Sequence, residues 1–284
     1  SFLRTEYAVR FGGGGENLHL ANPISADLNC MRPSLLPNLL SAAARNLNRG
    51  TQNIALFELG PIYLSPDETG QRTSCALLRQ GEAQTADWQQ PARLLDIFDI
   101  KQDLLSCLSA LGVSVDNLQV TRDAPDYMHP GRSASLRLGK EMVGMFGELH
   151  PQVLADYDIK GPVIVCEFWL DNIPKARSKG PAKPLLSLSA LQPVMRDFAF
   201  IVEADLPAIE LVSSVRRAVR DSVTDVRIFD VYQGQGIEDG KKSVALGVTL
   251  QPQAHSFTEA DLTEISDKII ATVAKNCDGV LRGA

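Results

Sequence analysis

The sequence predicts an α+β protein of two domains, and three observations predict it. Up to about residue 173, helical stripes and short strands mix without a repeating βα order, the mark of a domain built on an antiparallel sheet. A stretch rich in proline and lysine follows, Pro174-Lys-Ala-Arg-Ser-Lys-Gly-Pro-Ala-Lys-Pro184, with neither periodicity; it reads as a linker, taken as 174–191. Residues 192–284 then return to regular elements in the order βαββαβ, the ferredoxin-like split motif.

The elements follow in chain order. Gly12 to Gly15 are a loop by composition; no Gly-Lys-Ser/Thr follows, so they do not cradle a phosphate. From Ser34 the pattern turns helical. Ser34 caps, Pro37 is tolerated in the first turn, and Leu35, Leu36, Leu39, Leu40, Ala43, Ala44 and Leu47 form one broad stripe before Gly50. Ile54 to Leu64 reads as a strand interrupted at Gly60-Pro61. Ile97 to Gly112 is a second helix with Leu104, Leu105, Leu108 and Leu111 on its apolar side. Strands are expected at 134–138 and 142–149 around the turn at Gly139-Lys140, and at 163–170. In the second domain the strands are 197–202, 226–232, 243–250 and 280–282. Its helices are 207–221 and 259–275, the latter capped by Thr258.

Composition excludes several functions. A 44 % apolar content supports real cores, and the net charge of −6 argues against non-specific nucleic-acid binding while leaving room for a local patch. No apolar run approaches the roughly 20 residues that span a bilayer, so no membrane partner is expected. The start at Ser1, without Met or a signal pattern, suits a fragment. Cys30, Cys75, Cys107, Cys166 and Cys277 are odd in number and far apart, which reads as reduced thiols in a cytoplasmic protein.

Chemistry-bearing patterns are scarce. His19, His129, His150 and His255 lack metal-ligand spacing, and no nucleophile–base arrangement stands out, so neither a catalytic nor a metal site is expected. His129-Pro-Gly-Arg132 is read as a polar loop or turn. In Gly234-Gln-Gly236-Ile-Glu-Asp-Gly240-Lys-Lys-Ser243 the glycine spacing is wrong for a Walker loop, Lys242 takes the hydroxyl position, and a strand follows. A hairpin loop with two lysines at its base fits better.

The sharper signal is strand alternation in the second domain. It places Phe229 and Val231 toward the helices, with Ile228, Asp230 and Tyr232 opposite. Phe198, Phe200 and Val202 join the core, leaving Asp197, Ala199 and Ile201 on the open face with Ser243, Ala245, Gly247 and Thr249. A tyrosine above small residues is what a stacked base needs. A tyrosine at a subunit contact would show the same pattern.

Two blocks of strings resemble a known family. The first runs from Leu20-Ala-Asn-Pro-Ile-Ser25 through Met31-Arg-Pro-Ser-Leu-Leu-Pro37, Leu56-Phe-Glu-Leu-Gly60, Phe98-Asp-Ile-Lys101 and His129-Pro-Gly-Arg132 to Phe146-Gly-Glu-Leu-His-Pro151. It is similar to the catalytic-like domain of the bacterial phenylalanyl-tRNA synthetase β subunit. The second links Arg196-Asp-Phe-Ala199, Phe229-Asp-Val-Tyr232, Gly240-Lys-Lys-Ser243, Phe257-Thr-Glu-Ala-Asp261 and Leu281-Arg-Gly283. It resembles the ferredoxin-fold anticodon-binding domain that closes that subunit.

The resemblance implies a class II synthetase-like antiparallel-sheet domain at 1–173, non-catalytic, and an anticodon-binding domain at 192–284. It implies a catalytic α subunit and tRNA(Phe) as partners, with ATP and Mg²⁺ used by the assembled enzyme and bound by none of this chain. Leu64 stands where an active relative would place an ATP-gripping arginine, and no Gly-x-Gly-x-Gly-x-Glu-Arg string exists, so adenylate formation would lack its electrostatic stabiliser. The family's amino-terminal tRNA-binding and editing modules have no counterpart in these residues. Carried over by motif, Tyr232 stacks on the first anticodon base with Asp230, Ala199 and Ser243 around it, while Arg196, Lys241 and Lys242 are candidates for phosphate contact. Two other classes stay open: a stand-alone class II paralogue, and a metabolite-sensing module of the same split motif.

Overall fold

The structure, a computed structural model, describes residues 1–174 and 189–283. Most of the expected linker, 174–191, therefore lies outside the described residues. The chain separates into two compact units, Ser1–Lys179 and Gly180–Ala284.

The first unit opens with β1 (Phe2–Leu3), α1 (Thr5–Arg10) and β2 (Cys30–Met31), β1 pairing with β2. Then come α2 (Leu36–Leu47), β3 (Ile54–Tyr63), β4 (Gln71–Gln80), the small hairpin β5 (Glu82–Gln84) and β6 (Arg93–Leu94), and α3 (Ile97–Ala110). The remainder is β7 (Gln119–Thr121), β8 (Met128–Leu138), β9 (Glu141–Leu149), α4 (Pro151–Ala155) and β10 (Ile164–Trp169). Six strands form one antiparallel sheet in the order β3-β4-β10-β9-β8-β7.

Helices α2 and α3 cover opposite faces of that sheet, because alternate residues of each strand supply two separate cores. Ile54, Ile62, Ala76, Leu78, Met145 and Val165 pack with the α2 stripe. Leu136, Val143, Phe146, Ile164, Cys166 and Phe168 pack with Ile100, Leu104 and Leu108 of α3. Asp96 caps α3, and with Asp99 it completes a reciprocal capping box.

A buried carboxylate ties α2 to the sheet. Glu167 of β10 accepts hydrogen bonds from Ser34 Oγ (2.6 Å), the Leu35 N–H (2.9 Å) and Ser74 Oγ (2.9 Å). The N-cap of α2 is Leu35, which has no side-chain cap bond, and not Ser34 as expected; Ser34, one residue earlier, accepts from the Leu36 N–H at 3.1 Å, and Glu167 takes the Leu35 N–H. Burial pushes the Glu167 carboxyl above its ordinary pKa, with these three donors and Arg32 opposing the rise.

Three expectations for this unit need correction. Gly60-Pro61 does not interrupt its strand: β3 runs unbroken to Tyr63, with Gly60 opposite Ser74 and Pro61 opposite Thr73. An edge strand tolerates proline because its outward side has no ladder bond to lose, and the Pro61 carbonyl accepts from Arg32 Nε at 2.9 Å. Next, β4 escaped the sequence reading, since Arg72, Ser74 and Gln80 dilute its hydrophobic pattern. Ser74 and Gln80 are nonetheless buried and bonded inside. Lastly, His129-Pro-Gly-Arg132 lies within β8, where the register slips between Met128 and Ser133. Its turn-like bonds persist locally: the Gly131 N–H donates to His129 Nδ1, and Ser133 Oγ to the His129 carbonyl.

The second unit is βαββαβ as read from sequence. It comprises β11 (Val194–Glu203), α5 (Ala208–Ala218), β12 (Val223–Tyr232), β13 (Lys241–Leu250), α6 (Glu259–Cys277) and β14 (Val280–Leu281). The sheet order is β12-β13-β11-β14, all antiparallel neighbours. Phe198, Phe200, Val202, Val244, Leu246, Val248 and Leu250 face the two helices and build the core with Leu211, Val215, Ile269 and Val273. Thr258 caps α6 in a reciprocal box with Asp261. Among the described residues of this unit no helix covers the other face.

Alternation along β12 is the point where the sequence reading fails. Val226 is buried opposite Val248, and Ile228 packs against the core opposite Leu246. Ile228, expected on the open face, is thus a core-side residue, and Phe229, expected in the core, is 53 % exposed. The cause is a bulge between Ile228 and Asp230, where one extra residue resets the period of two. Beyond it, Asp230 and Tyr232 return to the open face opposite Ala245 and Ser243. Val231 pairs with buried Val244 on the helix side yet stays exposed at the sheet's edge.

Candidate nucleic-acid interface

The open face of the second unit is assembled by register. One row across the sheet holds Tyr232, Ser243, Ile201 and Val280; the next holds Asp230, Ala245 and Ala199; a third holds Arg227, Gly247 and Asp197. Ser243, Ala245 and Gly247 of β13 and Ala199 of β11 are small, so this part of the surface is a shallow floor bounded by Tyr232, Asp230, Ile201 and Asp197.

Tyr232 stands at one end of that floor, 38 % exposed. Its hydroxyl donates to the Gln235 carbonyl at 3.2 Å, which holds the ring against the β12–β13 loop. Gly234 makes this approach possible: it sits at φ +152, and a Cβ there would come within 3.0 Å of the Tyr232 hydroxyl oxygen. Against the ring lies Arg282, its guanidinium carbon 5.7 Å from the ring centroid, a cation–π distance. Arg282 also points Nη1 at Ser243 Oγ (3.5 Å), and its N–H donates to the Ala199 carbonyl at 2.7 Å.

Arg282 is the residue that sequence reasoning passed over. The Leu281-Arg-Gly283 string belongs to the family resemblance, but a two-residue closing strand gives no periodicity from which a face can be read. Only the antiparallel pairing of β14 with β11 sends the chain end back over Ala199 toward Tyr232.

The remaining expected residues divide. Tyr232, Asp230, Ala199 and Ser243 come together on the open face, and Ser243 is nearly buried beneath Arg282. Lys241 lies at the base of the loop opposite Glu203, with Nζ 2.6 Å from Glu238. That partner raises the lysine's pKa above its usual value and lowers the glutamate's. Lys242 points the other way. Its ammonium donates to the carbonyls of Ala204 (2.8 Å) and Leu206 (2.7 Å), fastening the turn that leads into α5. Arg196 pairs with buried Val248 on the helix side, 4.0 Å from Glu259 of α6. Two of the three cations expected near phosphate are therefore on the face away from Tyr232.

Charge on the open face is mixed. Asp197, Asp225 and Asp230 offer acceptors only, and Arg227 and Arg282 supply donors. An aromatic plane, a floor of Ala and Gly, carboxylates to accept from base amines and an arginine against the ring make a surface for an unpaired base. Among the described residues no three His, Cys, Asp or Glu side chains gather as a metal site. No described helix is long and apolar enough to cross a membrane.

Comparison with known proteins agrees with both halves of the chain. The family described as "Phenylalanyl tRNA synthetase beta chain CLM domain" matches residues 1–170, and the "Ferredoxin-fold anticodon binding domain" matches residues 189–282. The phenylalanine–tRNA ligase β subunit of Paramagnetospirillum magneticum is 48 % identical over 284 residues, covering all of this chain and 36 % of the relative's length. That of Rhodospirillum rubrum is 46 % identical, covering 99 % of this chain and 35 % of its own length. The Brucella abortus subunit is 43 % identical over 289 residues, covering all of this chain and 36 % of its own length. The chain thus spans about a third of the length of the curated relatives it matches.

Proposed function

The chain belongs to the family of phenylalanine–tRNA ligase β subunits, and on that premise we propose that it is the part of such a subunit that packs on a catalytic α subunit and binds the anticodon of tRNA(Phe). Residues 1–173 act as the non-catalytic class II-like domain, and 192–284 as the anticodon-binding domain. The observation that carries the reading is Tyr232: a half-exposed ring on a helix-free sheet face, braced by Arg282 and set beside a floor of alanines and glycine. Tyr232 stacks on the first anticodon base, Asp230 accepts hydrogen bonds from its edge, and Arg282 neutralises phosphate.

The first unit performs no adenylation in this reading. Leu64 is exposed at the end of β3, where the strand–loop–strand needs a cation for ATP. ATP and Mg²⁺ serve the α subunit, and the assembly works in the cytoplasm. Contact with α falls on the edge of the six-stranded sheet. Phe57 (75 % exposed) and Leu59 lie opposite Leu77 and Cys75 on the α3 side, beyond the cover that α3 gives those neighbours. The α2 helix takes no part in it, since Leu36, Leu39, Leu40 and Ala43 are consumed by its own core.

Competition binding tests this. Unlabelled tRNA(Phe) displaces labelled tRNA(Phe) from the 284-residue chain, and tRNA(Phe) altered at the first anticodon base competes at least about tenfold less well, one stack or base contact being lost. Equal competition by the altered tRNA would end the anticodon reading.

A further inference from the structure

A second exposed aromatic shares the face with Tyr232. The bulge in β12 turns Phe229 out of the core and lays it beside Gly247, where its ring carbon Cδ1 is 3.8 Å from the position a Cβ would take. Asp197 Oδ1 approaches the same point to 3.4 Å. These are ordinary contact distances, and φ at Gly247 is not positive, so an alanine would fit without strain. The glycine therefore leaves a hollow that neither packing nor backbone conformation requires, rimmed by a ring and a carboxylate.

We infer that Phe229, Gly247 and Asp197 form a second nucleobase site, which takes another unstacked base of the strand held at Tyr232; this rests on the RNA-binding reading of the face. Three observations carry it. A phenylalanine left half exposed gains the fold little, whereas a ring beside small residues offers a base a stacking partner. Phe229 and Tyr232 are three residues apart on a bulged strand, a backbone separation of at most about 10 Å at roughly 3.3 Å per residue. That spacing separates two splayed bases, as on other sheet surfaces whose aromatics stack two or three bases. Asp197 and Asp230 accept hydrogen bonds only, so they select a base that presents an amino group and reject a phosphate. Arg227, on the same row as Gly247, is placed for the backbone.

The occupant is thus a single RNA strand crossing β12 and β13 obliquely, with one base at Tyr232 and a second, amino-bearing base at Phe229. The probe is an anticodon stem-loop RNA of tRNA(Phe), wild type or carrying one abasic nucleotide at each loop position in turn, measured by anisotropy on the 284-residue chain. Phe229→Ala is expected to weaken binding by roughly 5- to 150-fold, the effect of one stack, and Phe229→Trp to preserve it. The loss should vanish when one particular loop base, other than the first anticodon base, is abasic. Gly247→Val, which suits a strand, should fill the hollow and reproduce the loss, and urea unfolding of the same samples reads any cost to the fold. Phe229→Leu keeps apolar bulk without a π face, so it reads the stack if the alanine variant fails to fold. If Tyr232→Ala weakens binding while Phe229→Leu, Phe229→Ala and Gly247→Val stay within about twofold, well short of one stack, the second site does not exist and the anticodon reading survives. If none of the four matters, the face does not bind RNA and both fall.

Discussion

Replacing Tyr232 by alanine removes three interactions of different kinds, and their magnitudes separate binding from stability. The base stack contributes about 1–3 kcal/mol, roughly 5- to 150-fold in affinity for tRNA(Phe). The contact with Arg282 contributes about 0.5–1 kcal/mol at an exposed site. It acts on the free protein, holding the guanidinium over the face. The hydroxyl bond to Gln235 falls near the lower end of the about 0.5–1.5 kcal/mol of an intramolecular hydrogen bond, because Gln235 is itself exposed to water. Tyr232→Ala should therefore destabilise the second unit by only about 1 kcal/mol, from the lost cation–π contact and hydroxyl bond. Tyr232→Phe keeps the ring and the Arg282 contact, and should lose no more than about threefold in affinity through a looser β12–β13 loop. Equilibrium binding of labelled tRNA(Phe) reads the first quantity, and urea unfolding of the same samples reads the second. A variant that unfolds cooperatively like wild type yet binds tRNA within about twofold of it would refute the stacking argument.

Three further outcomes are expected. Arg282→Ala should weaken tRNA binding and lower the slope of log K against log salt by about 0.7–0.9, one phosphate contact. Arg282→Lys keeps the charge and should restore the slope, and an unchanged slope in the alanine variant would show that Arg282 only braces the tyrosine. Lys242→Ala should cost stability and not RNA affinity, about 1.5–3 kcal/mol for charge-assisted bonds to the Ala204 and Leu206 carbonyls. A tRNA-specific loss at unchanged stability would return Lys242 to the RNA surface. Glu167 has its folded pKa raised by burial, so its folded carboxyl binds a proton more readily than the unfolded one. Its contribution to stability is full below the unfolded value of about 4.3 and is lost as pH rises through the raised folded value. The wild-type-minus-Glu167→Gln difference in unfolding free energy should fall across that window, and a flat difference would contradict the shift. Glu167→Ala strands the Ser34, Ser74 and Leu35 donors and should destabilise at every pH, by about 1–3 kcal/mol per buried donor left unpaired.

What could be read from the residues was whatever depends on local repetition. The period-two runs of β11 and β13 and of the last residues of β12, the stripe of α2 and the Thr258 cap each announce themselves within a few residues. From these came the split motif, the open face and the placement of Tyr232, Asp230, Ala199 and Ser243. Tertiary structure decided the rest, because the deciding interactions are made between residues far apart in sequence. β4 is a central strand whose polar residues are satisfied by Glu167 and the Lys160 carbonyl, 80 or more residues away, so its own composition hides it. A bulge depends on the partner strand's register, which is why Phe229 and Ile228 exchanged faces. Arg282 reaches Tyr232 only because β14 returns antiparallel to β11, and Lys242 and Arg196 turn away because a strand neighbour's side is set by parity, whatever its charge.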